Sequence, residues 1–284
     1  MGKVIHSKSE INYNYTTIKI TQSRIDKGLI AIPASLIKLF PEKNQTIELY
    51  LSDSPASQKK HYSSLRSSTR KCRIGGMKEW FRQNDIKSGD EIVIQVIDKD
   101  RFIYRLIPEK NFIINVKQLQ DTFDASKNEE EAFKKIEDLS QWTKSGKEKT
   151  AISEYIRLID SMPYESRRSN RKYTGNAKEN VPLNIRILLE EIYKGHCQLC
   201  DFWFLKKDRR PYFEIHHLNP FCGHHPKNLI VVCGNCHNQF EYSEIIKEEF
   251  EDGWIVNVSF TKNTYTVKQT ISKMEKNSLK EVFL

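Results

Sequence analysis

The chain has 284 residues and a formal net charge of +9, long for one hydrophobic core and comfortable for two domains. With 38% hydrophobic and 29% charged residues, and no apolar run near the roughly 20 residues that span a bilayer, it reads as a soluble protein and not a membrane one. The surplus of Lys and Arg favours a polyanionic partner, and no Gly-rich phosphate loop of the GxxxxGK[ST] type is present. The opening MGKVIHSKSEINYNY lacks the apolar core of a secretory signal. A cytoplasmic setting is therefore expected, in which cysteines serve as thiols or metal ligands more readily than as disulfides.

In chain order, residues 17–20 alternate like a strand, and 29–33 read as another, ended by Pro33. A short helix over 34–40 follows, opened by that proline. Residues 46–51 alternate clearly, with Ile47, Leu49 and Leu51 on one face and Glu48 and Tyr50 on the other. Trp80 and Phe81 sit on a predicted helix over 77–84. Gly89-Asp90 turns the chain into a strand over 91–97, and residues 98–101 form the hairpin turn before a last strand at 102–107. Many short strands and few helices argue for a small barrel.

The order IAIPASLIKLFP, then GGMKEWFRQNDIKSGDEIVIQVID, resembles the B-three-like pseudobarrel. Plant transcription factors and the specificity domains of some restriction endonucleases share that fold. The resemblance rests on Ile32-Pro33, Trp80-Phe81, Asn84 and the Gly89-Asp90 turn. It implies two arms that grip the major groove of double-stranded DNA. One arm is the stretch 22–28, with Gln22, Arg24 and Lys27; the other, 59–76, carries Lys60, Arg66, Arg70, Lys71 and Arg73. Arginine holds guanine O6 and N7 together and glutamine pairs with adenine, each good pair discriminating by roughly 1–3 kcal/mol. Lysine more often touches phosphate and positions the protein. Without the resemblance, the basic stretch reads as a solvated loop and Trp80 as core.

Between 110 and 180 the character changes. Ala132, Phe133, Ile136 and Leu139 recur at helical spacing, as do Ile152, Tyr155, Ile156 and Ile159, with Ser145-Gly146 breaking the two runs. They read as linker helices. Arg167, Arg168, Arg171 and Lys172 follow in a polar connector that reads equally as a phosphate contact or a solvated linker. A helix over 182–193, ended by Gly195, leads into the most informative stretch of the chain.

That stretch, 197–242, holds two Cys-x-x-Cys pairs, Cys197 with Cys200 and Cys233 with Cys236. Four thiolates from two such knuckles suit one tetrahedral structural zinc. Between them, His216 and His217 follow a short strand-like run and Asn228 precedes the apolar run 229–232; His237, directly after Cys236, opens a predicted helix. This order resembles the HNH nuclease family of ββα-metal fold, in its zinc-stapled branch, over residues 185–245. The resemblance implies phosphodiester hydrolysis that leaves a 5′ phosphate and a 3′ hydroxyl. His216 and His237 then hold one catalytic divalent cation, magnesium or manganese or another transition metal. His217 is the general base, and Asn228 holds its imidazole in the needed tautomer. His224 and His225 read as loop residues or as phosphate or metal contacts, and Cys222 as a free thiol. Lys206, Lys207, Arg209 and Arg210 lie in the hairpin before His216, in reach of a DNA backbone. Beyond the motif, a helix is expected to continue over 243–250, followed by a hairpin of 253–260 and 264–269 across Lys262-Asn263.

The chain is thus expected to be α+β: an N-terminal β-pseudobarrel over 1–110, a helical and basic linker over 111–180, and a zinc-stapled ββα-metal nuclease domain over 181–284. The expected activity is that of a sequence-specific DNA endonuclease, of the type II restriction kind. Modification-dependent and homing-type cleavage are variants of the same reading, and a non-catalytic, zinc-stabilised DNA-binding regulator is the alternative from another class. One HNH site cuts one strand, so a double-strand break implies a homodimer on DNA.

Overall fold

The computed structural model describes residues 10–64, 72–162, 164, 180–220 and 222–271. It divides into two compact units, Met1–Leu119 with Trp142–Lys144, and Gln120–Gln141 with Ser145–Leu284. No helix among the described residues is long and apolar enough to cross a membrane.

The first unit is built on seven strands: β1 (Thr16–Lys19), β2 (Ile30–Ala31), β3 (Gln45–Leu51), β4 (Ser57–Ser63), β5 (Arg73–Ile74), β6 (Glu91–Asp98) and β7 (Ile103–Pro108). Their order in the sheet is β1-β6-β7-β3-β4-β5-β2, with β3 and β7 parallel and every other pair antiparallel. A single core draws on every strand, from Ile18 on the β1 edge to Ile30 on the β2 edge, through Ile47, Tyr62, Ile74, Ile92 and Tyr104. A flat sheet cannot bring its two edges to one core, so this sheet curls around it like a barrel. Phe40 fills the middle, stacked on Tyr104 at 4.4 Å and on Tyr62 at 5.4 Å. Trp80 and Phe81 lie in the same core on helix α2 (Lys78–Gln83). The arm expected at 22–28 is a short helix, α1 (Gln22–Lys27).

Helix α3 (Glu109–Asp124) carries the chain from the first unit into the second. Helices α4 (Glu129–Thr143), α5 (Lys147–Ser161) and α6 (Leu183–Tyr193) follow. Those expected as linker helices are not spacers. Ala132 and Ile136 of α4 and Ile152, Tyr155 and Leu158 of α5 share one core with Ile185, Leu188 and Leu189 of α6. That core also takes Leu229 and Val231 of strand β9 (Leu229–Val232). Ile230 and Val232, on the other face of β9, enter a second core with Cys197, Cys233, Cys236 and Phe240. Both faces of β9 are thus buried, which is why it reads as an unbroken apolar run.

Strand β8 (Glu214–His217) pairs antiparallel with β9, with His216 opposite Ile230 and His217 opposite Leu229. Helix α7 (Gly234–Tyr242) then packs on the hairpin and completes a ββα unit. The helix expected over 243–250 is instead strand β10 (Ile246–Glu251), joined to β11 (Trp254–Phe260) and β12 (Asn263–Thr266) in a three-stranded antiparallel sheet. Asp252 (φ 53°) and Gly253 (φ 79°) explain the difference. Two consecutive positive φ values are what a tight β-hairpin turn requires, and Asp-Gly supplies them at low cost.

Candidate metal centres

The two cysteine knuckles come together as one cluster. Cys197, Cys200, Cys233 and Cys236 place their sulfurs within 4.8 Å of one another. Cys200 Sγ lies 3.7 Å from Cys233 Sγ and 3.5 Å from Cys236 Sγ. A tetrahedral zinc with bonds of about 2.3 Å requires sulfur–sulfur edges of about 3.8 Å, so the donor set fits this ion. All four are free cysteines. The Cys236 thiol donates to Cys200 Sγ. Interaction with Cys236 lowers the Cys197 thiol, while the same interaction and burial raise the Cys236 thiol. Sulfurs this close cannot all ionise unless a cation lies among them. Gly195 permits the turn into the first knuckle: its φ is +76°, and a Cβ there would stand 2.3 Å from Pro211 Cβ.

A second set of donors forms where β8 meets α7. Adjacent strand residues face opposite sides, and β8 uses both. Glu214 and His216 face α7. His216 stacks on Phe240 at 4.1 Å, and its ring lies 5.2 Å from that of His237. His237 Nδ1 bonds to the Glu214 carboxylate. Its Nε2 lies 3.8 Å from Glu241 Oε1, one helical turn on. Donor atoms of His216, His237 and Glu241 fall within 4.8 Å of one another. Two imidazoles and a carboxylate, with a second carboxylate orienting one imidazole, suit a divalent transition ion. The Tyr212 hydroxyl also donates to Glu214, and that bond raises the Tyr212 hydroxyl to about 12.

His217 lies on the opposite side of β8, where its Nε2 stands 3.1 Å from His224 Nδ1. Asn228 is fully buried beside it, and its carboxamide serves the loop backbone. Oδ1 accepts from Asn219 N at 2.7 Å, and Nδ2 donates to the carbonyls of Asn219 and Gly223, both at 2.8 Å. The expected bond from Asn228 to the His217 imidazole is therefore replaced by a staple on the loop that carries His224. His225 caps the turn before β9 by accepting from Lys227 N at 3.1 Å. Tyr155 fastens the same turn from α5, donating to the Pro226 carbonyl at 3.0 Å. The sequence does not single out Glu214 or Glu241, and it offers His224 as a loop residue or a phosphate or metal contact, not as a partner of His217. Both glutamates carry a signal: Glu214 lies two residues before His216 on one strand face, and Glu241 four after His237 on one helix face.

No family model matches this chain. No curated protein matches it either. Among solved structures, it is similar to an Arabidopsis FUS3–DNA complex at 12% identity, over 33% of this chain and 94% of that one, with a TM-score of 0.29. An Arabidopsis thaliana transcription factor LEC2–DNA complex follows at 17% identity, over 32% and 88%, with a TM-score of 0.28. The N-terminal domain of Helicobacter pylori LlaJI.R1 is similar at 15% identity, over 35% and 86%, with a TM-score of 0.26.

In the first unit, Gln22, Arg24 and Lys27 sit on α1. Gln22 Nε2 donates to Asp26 Oδ1 at 2.8 Å, and Arg24 Nη1 to the Lys19 carbonyl at 2.6 Å, both on exposed surface. Arg73 lies on β5, half-buried. Arg66, Arg70 and Lys71 lie outside the described residues, as do Arg167, Arg168, Arg171 and Lys172. Arg210 is not available to a DNA backbone. It is held by Glu129 and by Glu190, at 2.6 Å from the latter, and lies over the Phe133 ring. Lys207 and Arg209 remain exposed.

Proposed function

We propose that the chain is a double-stranded DNA endonuclease of the HNH kind, with the curled seven-stranded unit as its DNA reader and zinc held by the four cysteines as a structural staple. The observation that carries this reading is the division of labour across β8. His216 joins His237 and Glu241 in a donor set on one face, while His217 stands on the other with its imidazole engaged by His224. A scaffold stabilised by zinc alone needs neither set. The net charge of +9 favours a polyanionic substrate.

In this reading His216, His237 and Glu241 would hold one divalent cation. Such an ion supplies Lewis acidity at the scissile phosphate and at the departing 3′ oxygen. His217 takes a proton from water as the water oxygen bonds to phosphorus, and the bond from phosphorus to the 3′ oxygen breaks. That oxygen leaves with a solvent proton, which gives a 5′ phosphate and a 3′ hydroxyl. Glu214 fixes the orientation of His237, and Asn228 fixes the loop that brings His224 to His217. On α1, Gln22, Arg24 and Lys27 carry the polar groups of one arm of the reader. A double-strand break requires two copies or two visits, and a type II restriction enzyme working as a homodimer fits that need.

Incubation of genomic DNA with the full chain and manganese or magnesium, with fragment ends sequenced, tests this function and returns site, stagger and modification dependence together. His217→Ala is expected to retain zinc and DNA binding and to lose cleavage. If it cuts as well as wild type, the assigned base is wrong. If wild type binds duplex but leaves every genomic DNA intact, the chain is a regulator and not an enzyme.

A further inference from the structure

The hairpin that leads into β8 carries a feature that the nuclease chemistry does not use. Phe202, Trp203, Phe204 and Leu205 are four consecutive large apolar side chains, and each is 42–54% exposed. They are nonetheless held in place. Trp203 Nε1 donates to the Lys194 carbonyl at 2.8 Å, and its ring stacks on His196. Phe204 stacks on Tyr212 at 4.9 Å, and Tyr212 N donates to the Phe204 carbonyl at 3.0 Å. Leu205 bridges to Pro211. An exposed apolar cluster that is already ordered binds without the entropic cost of ordering it.

Two further observations say what it binds. Lys207 and Arg209, at the end of the same hairpin, are exposed and make no ion pair among the described residues. Apolar rings flanked by unneutralised cations are complementary to a base stack flanked by phosphates. The cluster is also joined to the proposed metal site by three successive contacts. Phe204 stacks on Tyr212, Tyr212 donates to Glu214, and Glu214 bonds to His237. DNA held at that site passes close to the hairpin.

We propose that the tip formed by Phe202, Trp203, Phe204 and Leu205 packs against the bases of duplex DNA beside the scissile phosphate, with Lys207 and Arg209 on the adjoining phosphates. This rests on the nuclease reading for its position and adds a wedge that distorts the duplex where it is cut. The double variant Phe202→Ser/Leu205→Ser tests it, because both side chains are about half exposed and their loss leaves the buried cores intact. Binding is read by anisotropy on a fluorescent mixed-sequence duplex, with the zinc-loaded full chain and no other divalent ion. The expected result is about tenfold weaker binding with an unchanged slope of log affinity against log salt, since no charge is removed. Lys207→Ala and Arg209→Ala are each expected to reduce that slope by about one.

A second measurement stands if the double variant misfolds. The same duplex is expected to quench the Trp203 emission, identified as the part lost in Trp203→Phe, and to shield it from acrylamide. Wild-type affinity in a folded double variant, or a Trp203 indifferent to duplex, overturns the proposal. So does a wild-type dimer without DNA that the double variant abolishes while keeping its affinity; the tip is then a contact between copies. A chain that binds through the tip yet cuts no DNA sinks the nuclease reading and leaves the wedge. A chain that cuts DNA equally well with and without the tip sinks the wedge alone.

Discussion

Replacing Asn228 by Ala separates two roles for this carboxamide. The side chain is fully buried and satisfies three backbone groups of the loop: the Asn219 N–H, the Asn219 carbonyl and the Gly223 carbonyl. At about 1 kcal/mol net for each hydrogen bond, its removal costs about 3 kcal/mol, and more where water cannot reach the abandoned groups. For a unit of this size roughly 2–4 °C of melting temperature goes with each kcal/mol, so the transition falls by roughly 6–12 °C. Scanning calorimetry at fixed zinc concentration measures this, and the relevant transition is the one that a chelator shifts. Asn228→Asp keeps one acceptor, loses both donors and turns a carboxylate towards two carbonyls, so it is expected to melt no higher than Asn228→Ala. If Asn228 instead served only to orient His217, both variants would melt like wild type and fail only in cleavage. A melting temperature for Asn228→Ala within roughly 2–4 °C of wild type, which is about 1 kcal/mol, refutes the staple.

Glu241→Gln is expected to weaken manganese or cobalt binding by roughly 10–100-fold in titration calorimetry, with the sulfur-bound zinc unchanged, because it removes one donor of three and leaves both histidines. Zinc should be found at one equivalent per chain. Its release by chelator or by Cys236→Ser should cooperatively melt the core that Cys197, Cys233 and Cys236 share with Val232 and Phe240, as read by near-ultraviolet circular dichroism. Gly195→Ala combines a φ of +76° with a Cβ 2.3 Å from Pro211 Cβ, so a loss of about 2 kcal/mol or more is expected in urea unfolding, larger than for Gly146→Ala, where a φ of +75° strains the backbone but the space is open. Burial raises the Glu190 carboxyl above its ordinary 4.5 despite Arg210. The native state then keeps a proton that the unfolded chain has released, so this contribution to stability grows as pH falls through the folded value and is lost as pH rises above it. Glu190→Gln should flatten that part of the pH–stability curve.

Strand β3 is legible because one face is apolar and the other is not, with Ile47, Leu49 and Leu51 inward. Strands β6 and β7 do not alternate in this way, since Ile92 to Gln95 and Leu106 to Pro108 are buried in unbroken runs, and they are legible from their β-branched content and from the turns at Gly89-Asp90 and 98–101. Strand β4 was missed because it has no apolar face: of SQKKHYS only Tyr62 is buried, and backbone pairing to β3 makes the strand. Helix α3 escaped notice because its buried positions are few and include Gln120, which is satisfied only by donating to the distant Glu154 at 2.7 Å. The segment IKEEFE suits a helix by composition, and the Asp252-Gly253 turn makes it strand β10 instead.

At the site, the legible part is the part whose chemistry restricts residue type. Two knuckles of cysteine can be read by spacing, because few other roles need sulfur at that interval. Glutamate has no such privilege. Glu214 and Glu241 are ordinary surface residues in one dimension, and they enter the donor network only because β8 and α7 each present one face to the other. His224 is a harder case, since its contact with His217 depends on how a loop folds back, and that path is set by the buried Asn228. An adjacent pair of histidines on a strand must divide between two faces. The pair therefore says that two environments exist, and only the tertiary packing says what stands in each. Here α7 stands on one side with His237 and Glu241, and the Asn228-stapled loop stands on the other with His224. The contact of His224 with His217 is thus open to direct test. In the presence of manganese, His224→Gln should keep metal affinity at the His216 face and lower the cleavage rate constant without raising the concentration of DNA needed for half-maximal rate. Weakened metal binding in His224→Gln would mean that the two faces of β8 are not independent, contrary to the division on which the proposed chemistry depends.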